Sequence, residues 1–524
     1  MSRVLVADPI AEAGIQRLRD HAEVDVRLKQ SPAALVDAIA DYDALIVRSE
    51  TRVDERVIRA GQHLKVIGRA GAGVDNIDVE AATRAGILVV NAPSGNTIAA
   101  AEHTMAMMLA LARHIPQADQ AVKAGRWERS RFLGNELRDK VLGVVGLGSI
   151  GREVAHRAQA FGMRVIATDP VLSEERASQL NVRLMPLDQL LAEADVITLH
   201  VPLTTETHHL IDGRSLALTK RGVRLVNVAR GGIVDESALR TSLQDGHVAG
   251  AALDVFEQEP PGENPLLSHP QVVTTPHLGA STEEAQISVA LEIADQVIAV
   301  LDGGLPRFAL NAPVALPEAM AFLRPFIPVA EGIGRFYAQV GRQPATRLQV
   351  DYTGEIGNYD CSLLTAAMLT AFLSRFSAER VNPVNARAVA AAHGITVIEQ
   401  RGARASEFAN LITLQASGEH GPTRIGGTLL LNEPHIVQFN DFRIDLVPQG
   451  TFLMSWHADR PGIIGAIGTL LGQKNINIAS MQVGRDHPRG DAVMILSVDD
   501  PIPESIQAEI RRIPGMADVL TVTL

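Results

Sequence analysis

The 524-residue sequence contains one cysteine, Cys361, which excludes an internal disulfide framework and any cysteine-rich zinc site. A lone thiol suits a reducing cytoplasm, and no metal is expected. The opening MSRVLVADPI has no apolar stretch behind a basic head, so no secretory signal is expected. Long hydrophobic runs are missing too: the longest apolar-looking one, residues 99–112, carries Glu102 and His103 and is too short to cross a bilayer. An excess of positive charge is also lacking. The formal charge of -12 argues against sequence-independent binding to nucleic acid, and neither nucleic acid nor membrane is expected as a partner. With 46% hydrophobic and 21% charged residues, wholesale disorder is excluded. The chain is too long for one core and should divide into three or four domains.

Short β-branched runs alternate with helical patterns through roughly the first 300 residues, the rhythm of a parallel sheet covered by helices. VLVAD, ALIVRS, KVIGRAG and ILVVNAP form a first series. VLGVV, RVIAT, DVITL, VRLVNV, VAGAALD and VVTT form a second. Residues 96–125 read as one long helix between them, and a helix over 282–301 stops at DGGLP. A helix is expected near 319–340, with GEHG and IGGTLLLNE as turns before residue 450. The tail reads β-α-β-β-α-β, a ferredoxin-like order. The expected fold class is α/β: two Rossmann- or flavodoxin-like parallel-sheet domains, an α+β intervening domain and a ferredoxin-like domain.

Gly146-Leu147-Gly148-Ser149-Ile150-Gly151 follows a strand and opens a helix. Gly146 permits the tight turn, Gly148 lets the backbone approach a pyrophosphate, and Gly151 allows close strand–helix packing. Alone, this pattern also fits a structural turn. Asp169, at the end of the next strand, adds a carboxylate for a ribose 2′-hydroxyl and would repel a 2′-phosphate, which favours NAD over NADP.

Three groups sit at or beyond the ends of later strands, where open α/β sheets bind ligands: Arg230 in VARGGIVDE, Glu259 in DVFEQEP and His277 in TPHLGAST. Each alone could be structural. Together, an arginine that grips a carboxylate, an imidazole that moves a proton and an acid that orients it are the parts needed for hydride transfer at a 2-hydroxy acid.

VLGVVGLGSIGREVA, VNVARGGIVDE, AALDVFEQEP and TPHLGAST resemble the signatures of the D-isomer-specific 2-hydroxyacid dehydrogenases. The whole chain is similar to the long form of that family, which ends in an ACT domain. The resemblance implies a substrate-binding domain of residues 1–97 plus 286–313, an NAD domain of 98–285, an intervening regulatory domain of 317–450 and an ACT domain of 451–524. It implies NAD-dependent oxidation of D-3-phosphoglycerate, opening L-serine biosynthesis, by a cytoplasmic homotetramer with L-serine as feedback effector. It assigns Arg230 to the substrate carboxylate and the acid–base pair to His277 and Glu259. Cofactor contacts are Gly146, Gly148, Ser149, Ile150, Gly151, Asp169, Val228, Ala229, Arg230, Asp254, His277, Gly279 and Ala280, with His200, Val201 and Pro202 beside the adenine.

For substrate it points to Arg48, Ser49, Ala72, Gly73, Val74 and Asn96. Arg129 and Arg131 would come from the neighbouring subunit. For the effector it points to His457, Asp459, Gly462 and Asn477. In the intervening segment His435 and Arg443 match an anion-site region of the family, but no site is assigned there. Two alternatives remain: a glyoxylate or hydroxypyruvate reductase on the same core, and an NAD-sensing corepressor without turnover.

Overall fold

The structure is a computed structural model that describes residues 1–313, 317–341, 345–377, 380–402, 407–417 and 422–524. Its first sheet is parallel and contains β1 (Arg3–Val6), β2 (Glu23–Val26), β3 (Ala44–Val47), β4 (Val66–Arg69) and β5 (Leu88–Asn91), in the order β2-β1-β3-β4-β5. The second is also parallel. It contains β6 (Val141–Val145), β7 (Arg164–Thr168), β8 (Arg183–Leu184), β9 (Val196–Leu199), β10 (Val223–Asn227), β11 (Val248–Leu253) and β12 (Val272–Thr274), in the order β12-β11-β10-β9-β6-β7-β8. Strand order reverses at β1 in one sheet and at β6 in the other. At each reversal the crossovers diverge and open a crevice beyond the strand ends.

Helices cover both faces, which explains why strands such as VLGVV and ALIV are apolar throughout and buried at every position. Helix Thr97–Arg113 lays Ala101, Met105, Met108 and Leu111 over Leu142, Val144, Val226 and Ala252 of the second sheet. The expected single helix over 96–125 is in fact two. His114 takes a left-handed conformation between Thr97–Arg113 and Ile115–Lys123. Pro116 explains the break: without an N–H it cannot bond to the Ala112 carbonyl, which Asn135 N–H takes instead at 2.9 Å. Helix Glu283–Leu301 returns to the first sheet, where Val289, Ile293 and Val297 pack on Val4, Val6, Ile46 and Val66.

Beyond residue 317 a six-stranded mixed sheet contains β13 (Arg347–Gly354), β14 (Thr396–Gly402), β15 (Asn410–Ser417), β16 (Thr423–Leu430), β17 (Glu433–Phe439) and β18 (Phe442–Leu446). The helix expected near 319–340 is divided by a 3-10 turn, Arg324–Phe326, into Pro317–Leu323 and Ile327–Val340, with Pro325 and Pro328 at the junctions. IGGTLL, expected as a turn, is strand β16; only Leu431 and Asn432 turn, both at positive φ. Gly427 sits in that strand because Val329 and Ile333 occupy the space of a Cβ, at 2.9 and 3.0 Å. GEHG lies outside the described residues.

The last domain runs β19 (Thr451–Ala458), helix Ile463–Gln473, β20 (Ile478–Arg485), β21 (Asp491–Val498), helix Glu504–Arg511 and β22 (Met516–Thr523). Its antiparallel order, β20-β21-β19-β22, is the ferredoxin-like arrangement. Alternation along the strands divides its side chains. Leu453, Met494 and Leu496 meet its own two helices, while Phe452, Met454, Val493 and Ile495 join the core of the preceding domain. No helix among the described residues is long and apolar enough to cross a membrane.

Candidate active site

A cleft of about 1040 Å³ lies where the C-terminal rims of the two parallel sheets meet. Its wall includes Arg48, Ser49, Ala72, Gly73, Val74, Asn96, Ile150, His200, Val201, Pro202, Val228, Ala229, Arg230, Glu259, His277, Gly279 and Ala280. Residues chosen from motifs scattered over more than 230 positions therefore converge on one cavity.

His277 Nδ1 lies 2.7 Å from Glu259 Oε2. An ionised carboxylate only accepts, so Nδ1 carries the proton. Nε2, which has no partner among the described residues, is then the nitrogen able to exchange a proton in the cleft. Burial would raise the Glu259 carboxyl, but its bond to His277, that residue's charge, the Phe256 N–H and the charge of Arg230 hold it below the usual carboxylate value. Glu259 is therefore ionised and suited to orient the imidazole.

The loop bearing His277 is held from beneath by Asp254, which is fully buried. Its oxygens accept from Leu278 N–H at 2.7 Å, Gly279 N–H at 2.9 Å and Thr275 Oγ1 at 2.6 Å, and His103 Nε2 lies at 3.3 Å. Asp254 thus faces inward and does not line the cleft. His103 was not singled out from sequence; in the middle of an apolar helix it reads as a core residue.

Arg230 is aimed by Asn227, whose amide donates to the Arg230 carbonyl at 2.8 Å and whose Oδ1 accepts from Ala229 N–H at 3.1 Å. The Arg230 Nε bonds to Asp75 Oδ2 at 3.1 Å, joining the two sheets' loops across the cleft. Gly231 has no room for a side chain, because a Cβ would fall 1.9 Å from the Phe256 backbone. The arginine loop is thereby fixed against the one that carries Glu259.

On the cofactor side, helix Ser149–Ala160 begins at Gly148 with no side chain capping its first N–H groups. No atom lies within 4 Å of a Cβ built on Gly148, whereas Gly146, at positive φ, and Gly151 are tightly enclosed. An anion can therefore approach those N–H groups. Asp169 receives Leu147 N–H at 2.8 Å, and also Val171 and Leu172 N–H; these bonds outweigh burial and hold its carboxyl low. His200 touches Thr198 Oγ1 at 2.9 Å, and burial pushes its imidazole down to about 4, so it is neutral near pH 7.

Two of the substrate candidates stand apart from this cleft. Arg129 and Arg131 lie on the exposed turn Arg129–Phe132, with Arg131 on Glu128 at 3.0 Å. Conversely, Arg69, Asp75, Asn76 and Gln286 line the cleft without having been expected there. The segment GRAGAGVDNID was read for its backbone alone, although it contains three of the four.

In the last domain His457 is buried with no partner on Nδ1 among the described residues, and burial lowers its pKa. Asp459 accepts from Arg489 N–H at 2.9 Å and lies 3.3 Å from Arg485 Nη1. Gly462, at positive φ, starts helix Ile463–Gln473, and Asn477 donates to Asp499 at 2.7 Å. His435 is paired with Asp445 at 2.5 Å and Arg443 with Glu407 at 3.1 Å, so each already faces a carboxylate.

Residues 105–279 match the NAD-binding domain of D-isomer specific 2-hydroxyacid dehydrogenases, 322–440 the D-3-phosphoglycerate dehydrogenase intervening domain, and 452–515 the ACT domain. The chain is 49% identical to D-3-phosphoglycerate dehydrogenase of Synechocystis, over 100% of this chain and 95% of that protein. It is 43% identical to that of Bacillus subtilis, over 100% of both. Among solved structures it is similar to the TT0316 protein of Thermus thermophilus, with TM-score 0.55 and 38% identity over 59% of this chain and 99% of that one. It is also similar to a D-lactate dehydrogenase of Aquifex aeolicus complexed with NAD and lactic acid, with TM-score 0.53 and 31% identity over 58% and 96%.

Proposed function

We propose how this cleft works from one premise: the chain belongs to the D-3-phosphoglycerate dehydrogenase family. It is an NAD-dependent oxidoreductase that oxidises D-3-phosphoglycerate to 3-phosphohydroxypyruvate, the first step of L-serine biosynthesis. NAD, when bound, supplies the two-electron acceptor. The open helix start at Gly148–Ile150 would receive its pyrophosphate, Asp169 its ribose, and His200, Val201 and Pro202 its adenine end. Val228, Ala229, Gly279 and Ala280 would flank its reactive ring.

Within the cleft, Arg230 holds the substrate carboxylate, which exchanges with Asp75 on the guanidinium. His277 takes the hydroxyl proton on Nε2, and Glu259 stabilises the imidazolium through Nδ1. Asp254 positions this pair through the backbone of the His277 loop rather than touching the reactants. Ala72, Gly73 and Val74, with Arg48, Ser49 and Asn96, complete the substrate pocket. The 2.7 Å His277–Glu259 pair, in one cavity with Arg230, carries this reading.

For regulation we assign L-serine to the ACT domain, with His457, Asp459, Gly462 and Asn477 as contacts. The protein is then an allosteric, cytoplasmic homotetramer in which a neighbouring subunit lends Arg129 and Arg131; the exposure of both and their separation from their own cleft support that role. NADH formation from D-3-phosphoglycerate, titrated with L-serine, tests the reaction and its regulation together. Preference for D-glycerate would select the reductase alternative. No serine response in the wild type, or an unchanged response in Asp459→Ala, would remove the effector assignment.

A further inference from the structure

His277 stands on a strained backbone. Its φ of 56° lies in the left-handed region, which a residue with a side chain enters only where its surroundings hold it there. The holding group is Asp254. Its carbonyl accepts from His277 N–H at 2.8 Å, and its carboxylate accepts from Leu278 N–H, Gly279 N–H and Thr275 Oγ1. That carboxylate is cut off from water, so it needs fixing in its turn. Among the described residues its one ion-pairing partner is His103.

His103 reaches Asp254 from helix Thr97–Arg113. Asn96, Ala100, His103 and Met107 follow the three- and four-residue spacing of one helix face. Asn96 and Ala100 line the cleft, whereas His103 Nε2 and Met107 Sδ meet Thr275 Oγ1 at 3.1 and 3.7 Å. The Thr275 hydroxyl gives its proton to Asp254 at 2.6 Å, so toward His103 it can only accept. Asp254 Oδ1, 3.3 Å from the same Nε2, accepts as well. Nε2 therefore carries a hydrogen whether the ring is neutral or charged. This relay keeps the Thr275 hydroxyl on the carboxylate and away from Met107 Sδ, its other acceptor. Burial would raise the Asp254 carboxyl, and the bond from His103 leads those that hold it below its ordinary value. We propose that His103 is a positioning residue for the proton transfer: by tying Thr275 and Asp254 to the helix that borders the substrate pocket, it keeps the His277 loop in its left-handed turn and the imidazole on Glu259. This rests on the reading of His277 as the proton carrier. Without His103 the loop relaxes and the ring leaves Glu259, while the rest of the cleft wall stays in place.

The test compares the full-length wild type with His103→Leu, His103→Gln and Asp254→Asn, the last also combined with His103→Leu. His103→Leu should lower kcat on D-3-phosphoglycerate by about 10–10²-fold and change KM and NADH affinity less than about threefold. In its pH profile of kcat/KM the acid–base group should titrate lower than in the wild type, because an imidazole off Glu259 loses the charge that stabilises its protonated form. Glutamine keeps a donor where Nε2 stood, so His103→Gln should recover most of kcat and the wild-type profile. The double variant should fall no further than Asp254→Asn alone. Unchanged kcat in His103→Leu, or additive losses in the double variant, would overturn the assignment. So would a joint loss of kcat, NADH affinity and thermal stability that glutamine does not rescue. Near-normal turnover in His277→Ala would overturn the acid–base reading itself, whereas a full loss there with none in His103→Leu would overturn the role of His103 alone.

Discussion

At the scale of single residues, the proposed chemistry separates into a proton carrier and its support. His277→Ala should lower turnover by about 10²–10⁴-fold while NADH binding persists, because it removes the acid–base group and leaves the helix start at Gly148 unchanged. Glu259→Gln should cost less, since an amide can still accept from Nδ1 but cannot balance an imidazolium. Steady-state kinetics with an NADH fluorescence titration checks both, and near-normal turnover in His277→Ala would reassign the proton carrier. His200 provides a pH test independent of catalysis. Its pKa falls from the usual 6.5 to about 4 through burial, so between those values the unfolded chain binds a proton that the folded chain does not. Stability contributed by neutral His200 is present above pH 6.5 and is lost as pH falls toward 4, by at most about 3 kcal/mol. Thermal unfolding of His200→Gln should therefore decline less steeply than wild type across that window. The trio Arg230, Glu259 and His277 was legible because strand-end placement is written in the local sequence. Asp75 and Arg69 were not, since only closure of two sheets brings Asp75 to Arg230, 155 positions away.

At the scale of elements, the glycine turn makes two separable demands. A Cβ at Gly151 would fall 2.1 Å from the Gly146 carbonyl, which cannot move without parting β6 from the following helix. Gly151→Ala should destabilise the protein by about 1–3 kcal/mol and weaken NAD binding with it. Gly148 has free space around it and ordinary negative φ, so Gly148→Ala should cost less than about 1 kcal/mol yet still impede the pyrophosphate. Thermal shift and NADH titration of the two variants resolve fold from function; unaltered NADH affinity in Gly148→Ala would place the cofactor elsewhere. Elements with strong apolar patterns were readable from sequence, and within the two parallel sheets two strands were not. β2 is EVDV, half exposed at a sheet edge, and β8 is two residues long. Sheet edges bury too little to need a hydrophobic run. The break at His114 was missed for another reason: an apolar period says nothing of the hydrogen bond that Pro116 cannot make.

At the scale of the molecule, the hydrophobic clusters divide the chain more coarsely than the domain motifs do. Each parallel sheet has its own clusters, whereas the intervening and ACT domains share one that joins Val329, Ile333 and Phe336 to Phe452, Met454, Val493 and Ile495. Between this regulatory half and the catalytic half, Asn382 donates to the Gly86 carbonyl at 2.6 Å and Asn385 to that of Arg84 at 3.5 Å. A polar contact of that kind transmits little cooperativity, while a common core enforces it. The regulatory half should therefore unfold as one unit. Ile333→Ala in the intervening domain and Met454→Ala in the ACT domain, both fully buried, should each cost about 2–5 kcal/mol. Both should shift the same urea transition to lower midpoint. Leu225→Ala, buried in the second sheet, should shift a different one. Fluorescence of Trp456, which packs against the shared cluster, reports the first transition, and loss of activity reports the second. If Met454→Ala moved a transition that Ile333→Ala left in place, the ACT domain would be an independent module, and the packing of its sheet on helix Ile327–Val340 would not contribute to holding the halves of that core together.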